Sequence, residues 1–356
     1  MRILILFFIF ISCAWAQAAS VLKSGASHFF ENGDRSFLSH SVLGPVCSTV
    51  RTIRAEPTCN PALLGENQMW SHGVFGANLF FGNDIDTLYK NRDLIAGEDK
   101  MKLAQSLLSE TEPVSFEAST LIWWRAEKMA LSFQPQRMTY FSDVRNQSYP
   151  DVAIHGMQEQ SLQGQIGGFV SENWRAGLQL RFLDRRFVYE EFNLFEALPT
   201  LDEQFQVKNQ RAVFVEPGVA YELNQTEDLQ QWQPLLSLSA SQTGWVDRNY
   251  DEIPVEPIVD AGVSISPPIA LGEWELGLNY RWTANVSEAR KFRWGTLYRL
   301  DFIELYAGYD PDEWALGLSA NVRALSAGWM YKRTQLGDSA AKAFEDSHFF
   351  ELRLAF

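Results

Sequence analysis

From Trp70 to the end of the chain, apolar and polar residues alternate with a period of two, the period of a β-strand whose two faces meet different surroundings. In 173–183, Trp174, Ala176, Leu178, Leu180 and Phe182 share one face, while Arg175, Gly177, Gln179 and Arg181 share the other. Segment 273–283 repeats this, with Trp274, Leu276, Leu278, Tyr280 and Trp282 against Glu275, Gly277, Asn279 and Arg281. A third copy, 313–323, sets Trp314, Leu316, Leu318, Ala320 and Val322 against Ala315, Gly317, Ser319, Asn321 and Arg323. All three share a Trp-x-x-Gly-Leu core, read as a turn feeding a membrane strand whose Trp sits at the interface.

A soluble sandwich also alternates, with its apolar side buried. Two features favour a membrane barrel instead: large aromatics sit at strand ends, and the strands run to roughly ten residues or more, against a globular mode of about five or six. Closure into a barrel also leaves no backbone edge unpaired in lipid. The pattern predicts strands near 70–82, 113–125, 128–142, 160–172, 173–187, 208–223, 233–246, 257–267, 273–285, 290–300, 301–310, 313–322, 323–335 and 346–356. The predicted fold is therefore all-β: a transmembrane antiparallel barrel of about fourteen strands, twelve to sixteen if a hairpin is miscounted. Short turns such as Asp310-Pro311-Asp312 are expected to alternate with longer links at 143–159, 188–207 and 247–256. Residues 84–110 break the alternation, and their apolar spacing suggests a short helical insert.

Composition narrows this reading. The chain has 356 residues, and beyond its first two dozen none form the 18-residue apolar run that a membrane helix requires. Aromatics make up 13% of the chain, with 12 Trp and 25 Phe, enough for two interfacial girdles. Met1-Arg2, the apolar run Ile3–Ile11 and the small residues Ala14, Ala16 and Ala18 read as a signal peptide over 1–18, with Cys13 as a competing lipidation site. Export makes Cys47 and Cys59 a candidate disulfide, the alternative being two unpaired thiols.

The chain ends on an alternating strand with Phe350, Leu352, Leu354 and Phe356 on one face. That ending resembles the signal by which the bacterial outer-membrane insertion machinery recognises its clients. Asn60-Pro61-Ala62-Leu63-Leu64 resembles the Asn-Pro-Ala-x-Leu segment near the N-terminus of the FadL-like superfamily, which includes FadL, PorV and TraF-like barrels. Tyr306-Ala307-Gly308-Tyr309, Leu316-Gly317-Leu318 and the closing Phe are similar to that group's C-terminal stretch. The resemblance implies fourteen strands over 70–356, an N-terminal hatch or plug over 19–69 folded into the lumen, and residence in the bacterial outer membrane. It also implies a role in passing hydrophobic ligands or in protein secretion. The Gly-rich lead-in and the Gly after Asn-Pro-Ala are missing and the cysteines are additions, so no ligand-contact residue is carried over.

With the aromatic faces toward lipid, the inward polar set is Glu117, Gln163, Gln165, Arg175, Gln179, Arg181, Glu216, Asp260, Glu275, Asn279, Arg281, Arg293, Arg299, Glu304, Asn321, Glu351 and Arg353. These residues would either pack a plugged lumen as cross-strand ion pairs or set the field of a narrow pore. A net charge of -14 argues against nucleic acid, which needs a basic footprint. No Gly-x-Ser-x-Gly elbow or His-Glu-x-x-His helix accompanies the five histidines, and neither cofactor nor metal is expected. Three functions are compatible with this sequence: a channel or transporter for small or hydrophobic molecules, a docking or shuttle barrel for secretion-complex proteins, and, last in order, a barrel enzyme.

Overall fold

The structure, a computed structural model, describes residues 37–51, 59–64, 72–82, 114–145, 151–193, 206–223, 226–283, 291–311, 313–336 and 343–356. The expected signal peptide at 1–18 and helical insert at 84–110 lie outside the described residues. Helix α1 (Leu38–Leu43) runs into a 3-10 turn (Gly44–Ser48), and a second 3-10 turn spans Pro61–Leu63. The wall follows with β1 (His72–Gly82), β2 (Val114–Arg125), β3 (Met129–Arg145), β4 (Asp151–Phe169), β5 (Trp174–Asn193) and β6 (Lys208–Glu222). After α2 (Glu227–Trp232) comes β7, which runs Leu235–Ser241 and resumes as Gly244–Val246. The remainder is β8 (Ile258–Ile265), β9 (Glu273–Trp282), β10 (Phe292–Leu300), β11 (Ile303–Asp310), β12 (Glu313–Val322), β13 (Leu325–Leu336) and β14 (Ala343–Ala355).

Each strand pairs antiparallel with its sequence neighbours, and β1 pairs with β14 from Val74↔Ala355 to Gly82↔Ser347. Among the described residues, fourteen strands thus close into a barrel, because the two pieces of β7 pair with the same partner, β6. Alternation decides which face each side chain takes. Leu131, Phe133, Leu162, Ile166, Leu180, Phe182, Leu316 and Leu318 are exposed on the outer face, while Glu117, Gln165, Glu275 and Arg353 are buried on the inner one.

The end bearing Gly73 and Phe356 is closed by the short turns 126–128, 170–173, 301–302 and 323–324. The two-residue turns use Asp301 and Arg323 at positive φ, which matches the twist of the strands they join. Short turns in such barrels face the periplasm. The short turn expected at Asp310-Pro311-Asp312 is a correction to the pattern, because β11 ends at Asp310 and β12 begins at Glu313 at the opposite end, with the long links. Two of those links are also shorter than expected: β3 and β4 reach Arg145 and Asp151, and β5 reaches Asn193, so most of 143–159 and the first part of 188–207 is strand. The wall is lopsided in consequence, with 17, 19 and 20 residues in β3, β4 and β5 against 8 to 12 in β8 to β13. On the tall side polarity inverts: Gln158, Gln160, Arg186 and Arg211 are exposed outward, while Phe141, Met157 and Phe187 are buried inward. That rim stands in water with an apolar core of its own.

The described N-terminal residues lie inside the wall. Leu38, Val42, Leu43, Val46 and Val50 are at most 3% exposed and belong to one cluster with Phe80, Phe141, Phe187, Met330 and Phe349. Two rows of glycines admit them. Gly277, Gly295 and Gly308 are direct cross-strand partners on β9, β10 and β11, and a Cβ on Gly277 or Gly308 would collide with Val46 or Val42. Gly167, Gly177 and Gly218 are direct partners on β4, β5 and β6, where a Cβ would collide with Pro61 or Asn60. The glycine of the Trp-x-x-Gly-Leu core thus meets this segment in all three copies, at Gly177, Gly277 and Gly317. Asn60 caps the second 3-10 turn through its Oδ1, which accepts from the N–H of Ala62 at 3.0 Å, and Pro61 supplies the fixed φ at the first position. A disulfide joins Cys47 to Cys59, tying the two contact regions together.

Gly308→Val and Gly177→Val should each destabilise the barrel by about 1–3 kcal/mol, the usual cost of overpacking. Gly156→Val and Gly164→Val, where a Cβ meets open space, should leave stability nearly unchanged. Urea unfolding of the refolded barrel in detergent micelles measures both pairs.

Candidate functional site

The tall side of the barrel encloses a cavity of about 50 Å³. β3, β4 and β5 supply Ser132, Gln134, Arg137, Glu159, Ser161, Gln163, Arg181 and Arg185, and β7 adds Gln242 at its break. Phe37 lies on one side, in edge contact with Trp123 at 4.8 Å, and Ile253, Pro254 and Val255 lie on another. Ile253 is only 5% exposed, because link 247–257 folds inward. Three contacts hold it there: Tyr250 pairs with Ile253 and sets its ring on Phe187 at 5.2 Å, Lys208 forms an ion pair with Glu252, and Gln210 Nε2 donates to the Arg248 carbonyl at 2.9 Å. Burial opposes ionisation of Glu252, but the hydrogen bond and charge of Lys208 outweigh it and hold the carboxyl below the usual carboxylate range.

The charged groups around the cavity balance in pairs. Arg137 grips Glu117 through two bonds of 2.9 and 3.0 Å and approaches Glu159 at 3.6 Å. Arg185 donates to Glu159 at 3.0 and 2.8 Å and to Gln210 at 3.2 Å. Arg181 bonds Glu216 at 2.7 Å and lies over the Phe214 ring at 4.8 Å. Gln179 accepts from Gln163 at 2.9 Å and also bonds Gln165 and Glu216. Such pairs are tolerable inside a wall because each charge is met by its opposite and by further hydrogen bonds.

The other expected inward residues fall into separate groups. Arg175 pairs with Glu222 at 2.7 Å and lies over the Phe169 ring. Asp260 accepts twice from Arg281 at 2.8 Å and once from Asn279 at 3.0 Å, while Arg293 stands 3.9 Å from Asp310. Arg299 links Glu304 at 2.6 Å to Glu273 at 2.9 Å. Two carboxylates hold the N-terminal segment: Glu275 accepts from the Arg51 N–H at 2.8 Å, and Glu351, paired with Arg353 at 3.2 Å, accepts from the Leu38 N–H at 3.4 Å. Asn321 is half-buried beside a turn, its N–H bonded to the Phe302 carbonyl at 2.7 Å. Phe350, Leu352, Leu354 and Phe356 are all exposed on the outer face. His40 lies beside Cys47 and Cys59, whose sulfurs are joined to each other.

The alternation missed Arg137, Glu159, Arg185, Gln210 and Glu222. A bulge between Gln134 and Arg137 shifts the phase of β3, so Ala130, Ser132 and Gln134 face inward and then Arg137, Thr139 and Phe141 do. Glu159 fell in a stretch read as a link. Arg185 was legible, being two further inward steps beyond Arg181.

The outer face carries two aromatic girdles. At the periplasmic end are Trp124, Trp174 with Tyr221, Trp274 and Phe356; at the other are Trp282, Phe292, Trp294 stacked on Tyr309, and Trp314 beside Tyr331. Trp274 and Trp282 are eight residues apart on β9, about 27 Å along the strand and about 21 Å along the normal at a typical tilt. That is close to the apolar band of an outer-membrane barrel, about 25 Å. A closed antiparallel wall with an apolar belt outside and paired charges inside defines the class: this is a fourteen-stranded outer-membrane β-barrel.

No family model and no curated protein matches the chain. Among solved structures it is similar to the toluene transporter TbuX of Ralstonia pickettii, at 8% identity over 83% of this chain and 91% of that one, with a TM-score of 0.45. It is similar also to the monoaromatic hydrocarbon channel CymD, at 9% identity over 95% and 98% of the two chains and a TM-score of 0.41. CdiB from Acinetobacter baumannii aligns at 10% identity and a TM-score of 0.35 over 80% of this chain, which spans 60% of the length of CdiB.

Arg137→Met leaves Glu117 and Glu159 short of a counter-charge and should cost about 3–5 kcal/mol, most of it recovered when Glu117→Leu is added. Equilibrium unfolding of the two variants tests this. The Lys208–Glu252 pair stabilises the inward link above the ordinary carboxylate pKa, and that contribution disappears as pH falls through the lowered one. Acid titration should therefore release link 247–257, seen as a change in Trp245 fluorescence that Glu252→Gln shows already at neutral pH.

Proposed function

We propose that this chain is an outer-membrane transporter for small molecules, with the segment around 19–69 acting as a hatch in the lumen. The observation that carries the reading is an interruption in the wall beside the cavity. β6 pairs in register with β7 over 218–222 and 212–214, and between these the ladder is irregular, Val215 donating to the Thr243 carbonyl at 2.7 Å. Pro217 has no N–H to offer β7 there, and β7 turns away through Gln242 and Gly244, both at positive φ. The Gln242 N–H donates to Glu216 at 2.8 Å, which draws an inner carboxylate to the rim of the break. A wall relaxed next to its chamber supports a lateral route between lumen and bilayer. The names of TbuX and CymD describe carriers of hydrophobic molecules, in keeping with such a route.

A second reading, a sealed barrel that docks secreted proteins, draws support from the segment packed into both glycine rows and stapled by Cys47–Cys59. The two separate experimentally. A transporter raises small-molecule uptake in cells carrying it, and Pro217→Val, which supplies the missing N–H, should cut that uptake several-fold while the barrel still folds. Uptake equal to that of cells lacking the protein, with co-purification of a secretion complex, would favour docking.

A further inference from the structure

We infer that the groove on the outer wall beside Phe356 binds one phospholipid of the periplasmic leaflet, taking an acyl chain along the wall and a zwitterionic ethanolamine headgroup at the turn 126–128. The inference rests on the barrel and its orientation and is independent of what the lumen carries. Shape is the first argument. Gly73 puts no side chain on the outer face, and the Phe356 ring lies against it, so that a Cβ there would come within 2.6 Å of the ring. Beside Gly73 stand Trp124, its partner on β2, and Ile122; beyond them are Leu131 and Phe133, the direct partners of those two on β3. Together they form an open groove of about 340 Å³. Among the described residues nothing covers it, and the five side chains are at least 39% exposed.

Depth is the second argument. Trp124 belongs to the periplasmic girdle, and Phe133 lies four residues past Met129 at the start of β3, roughly 13 Å along the strand and about 10 Å along the normal at a typical tilt. The groove thus opens at headgroup level and runs into one half of the apolar belt. Water there would meet no polar side chain, and a void would forfeit the dispersion contacts of its walls. A hydrocarbon chain is the material that the bilayer supplies at that depth, and a concave wall touches it on more sides than a flat one does.

Charge is the third. The turn under the groove carries Glu127 beside Lys128, both exposed, and the flanking turns carry Glu172 and Arg323, also exposed. Two carboxylates and two cations bring no net charge to draw an anionic headgroup. They match a zwitterion: Lys128 takes the phosphate, and Glu127 accepts from the ammonium, a bond that a primary amine can donate and a quaternary one cannot.

The test uses the whole barrel, reconstituted in equimolar phosphatidylethanolamine and phosphatidylglycerol, carried into mild detergent and weighed by native mass spectrometry. One phosphatidylethanolamine should stay on the barrel, at least five-fold in excess over phosphatidylglycerol. Leu131→Trp, which fills the groove, should reduce that adduct at least five-fold, while Leu316→Trp on β12 leaves it unchanged. Phe133→Ala, which removes a wall without adding bulk, should reduce it several-fold as well, and the mobility shift of unheated samples on gels verifies that each variant folds. Glu127→Lys should reverse the headgroup preference. Retention equal in Leu131→Trp and Leu316→Trp would overturn the inference. So would equal retention of the two lipids, or a two-copy species that Leu131→Trp abolishes in place of a lipid adduct.

Discussion

The pairing of β1 with β14 is the interaction on which the rest of the structure depends. In a bilayer, every N–H and C=O of the wall must find a partner within the protein, since an unpaired group there costs several kcal/mol. Nine consecutive register pairs, Val74↔Ala355 through Gly82↔Ser347, close the ring and remove both edges. Once the ring is closed, alternation turns each strand's apolar face to lipid and forces its polar face into a confined lumen. Arg137, Glu159 and Arg185 have no bulk water to relax into there, which is why they appear as matched pairs.

Confinement also explains the glycines. A wall of fourteen strands leaves an interior too wide for its own side chains to fill, and here the space is taken by chain from before β1. For backbone at Val42 or Pro61 to reach the wall, the facing positions must have no side chain, and three neighbouring strands must omit it at the same height. The register achieves this twice, in the lines Gly277–Gly295–Gly308 and Gly167–Gly177–Gly218. The disulfide joins the two sites of contact covalently.

Much of this was legible in the sequence, because a strand's two faces are a local property. Trp174, Trp274 and Trp314 marked the interfaces. The glycine rows were not legible: each glycine sits in a different strand, and only cross-strand register brings Gly277 opposite Gly295 and Gly295 opposite Gly308. The bulge at Gln134–Arg137 was hidden for a related reason, since one slip in phase turns every later residue of the strand over without changing composition. Links 143–159 and 188–207 were set too long because alternation on the tall rim carries the opposite polarity, with Met157 inside and Gln158 outside.

The tall rim and the break in β7 are connected physically. Where the wall rises above the lipid, water can satisfy the outward groups, so strand pairing there is no longer enforced by the bilayer and an irregularity costs less. The break lies where the lipid belt gives way to this rim, with Val215 and Trp245 exposed outside and Glu216 buried inside. Its freed groups are met from within: Thr243 bonds Val215 on both sides of its peptide, and Glu216 takes the Gln242 N–H. The same carboxylate binds Arg181 and Gln179, so the irregular piece of wall is wired into the charge network that lines the chamber. A change in what occupies the chamber therefore acts on the hydrogen bonds that hold this irregular piece of wall.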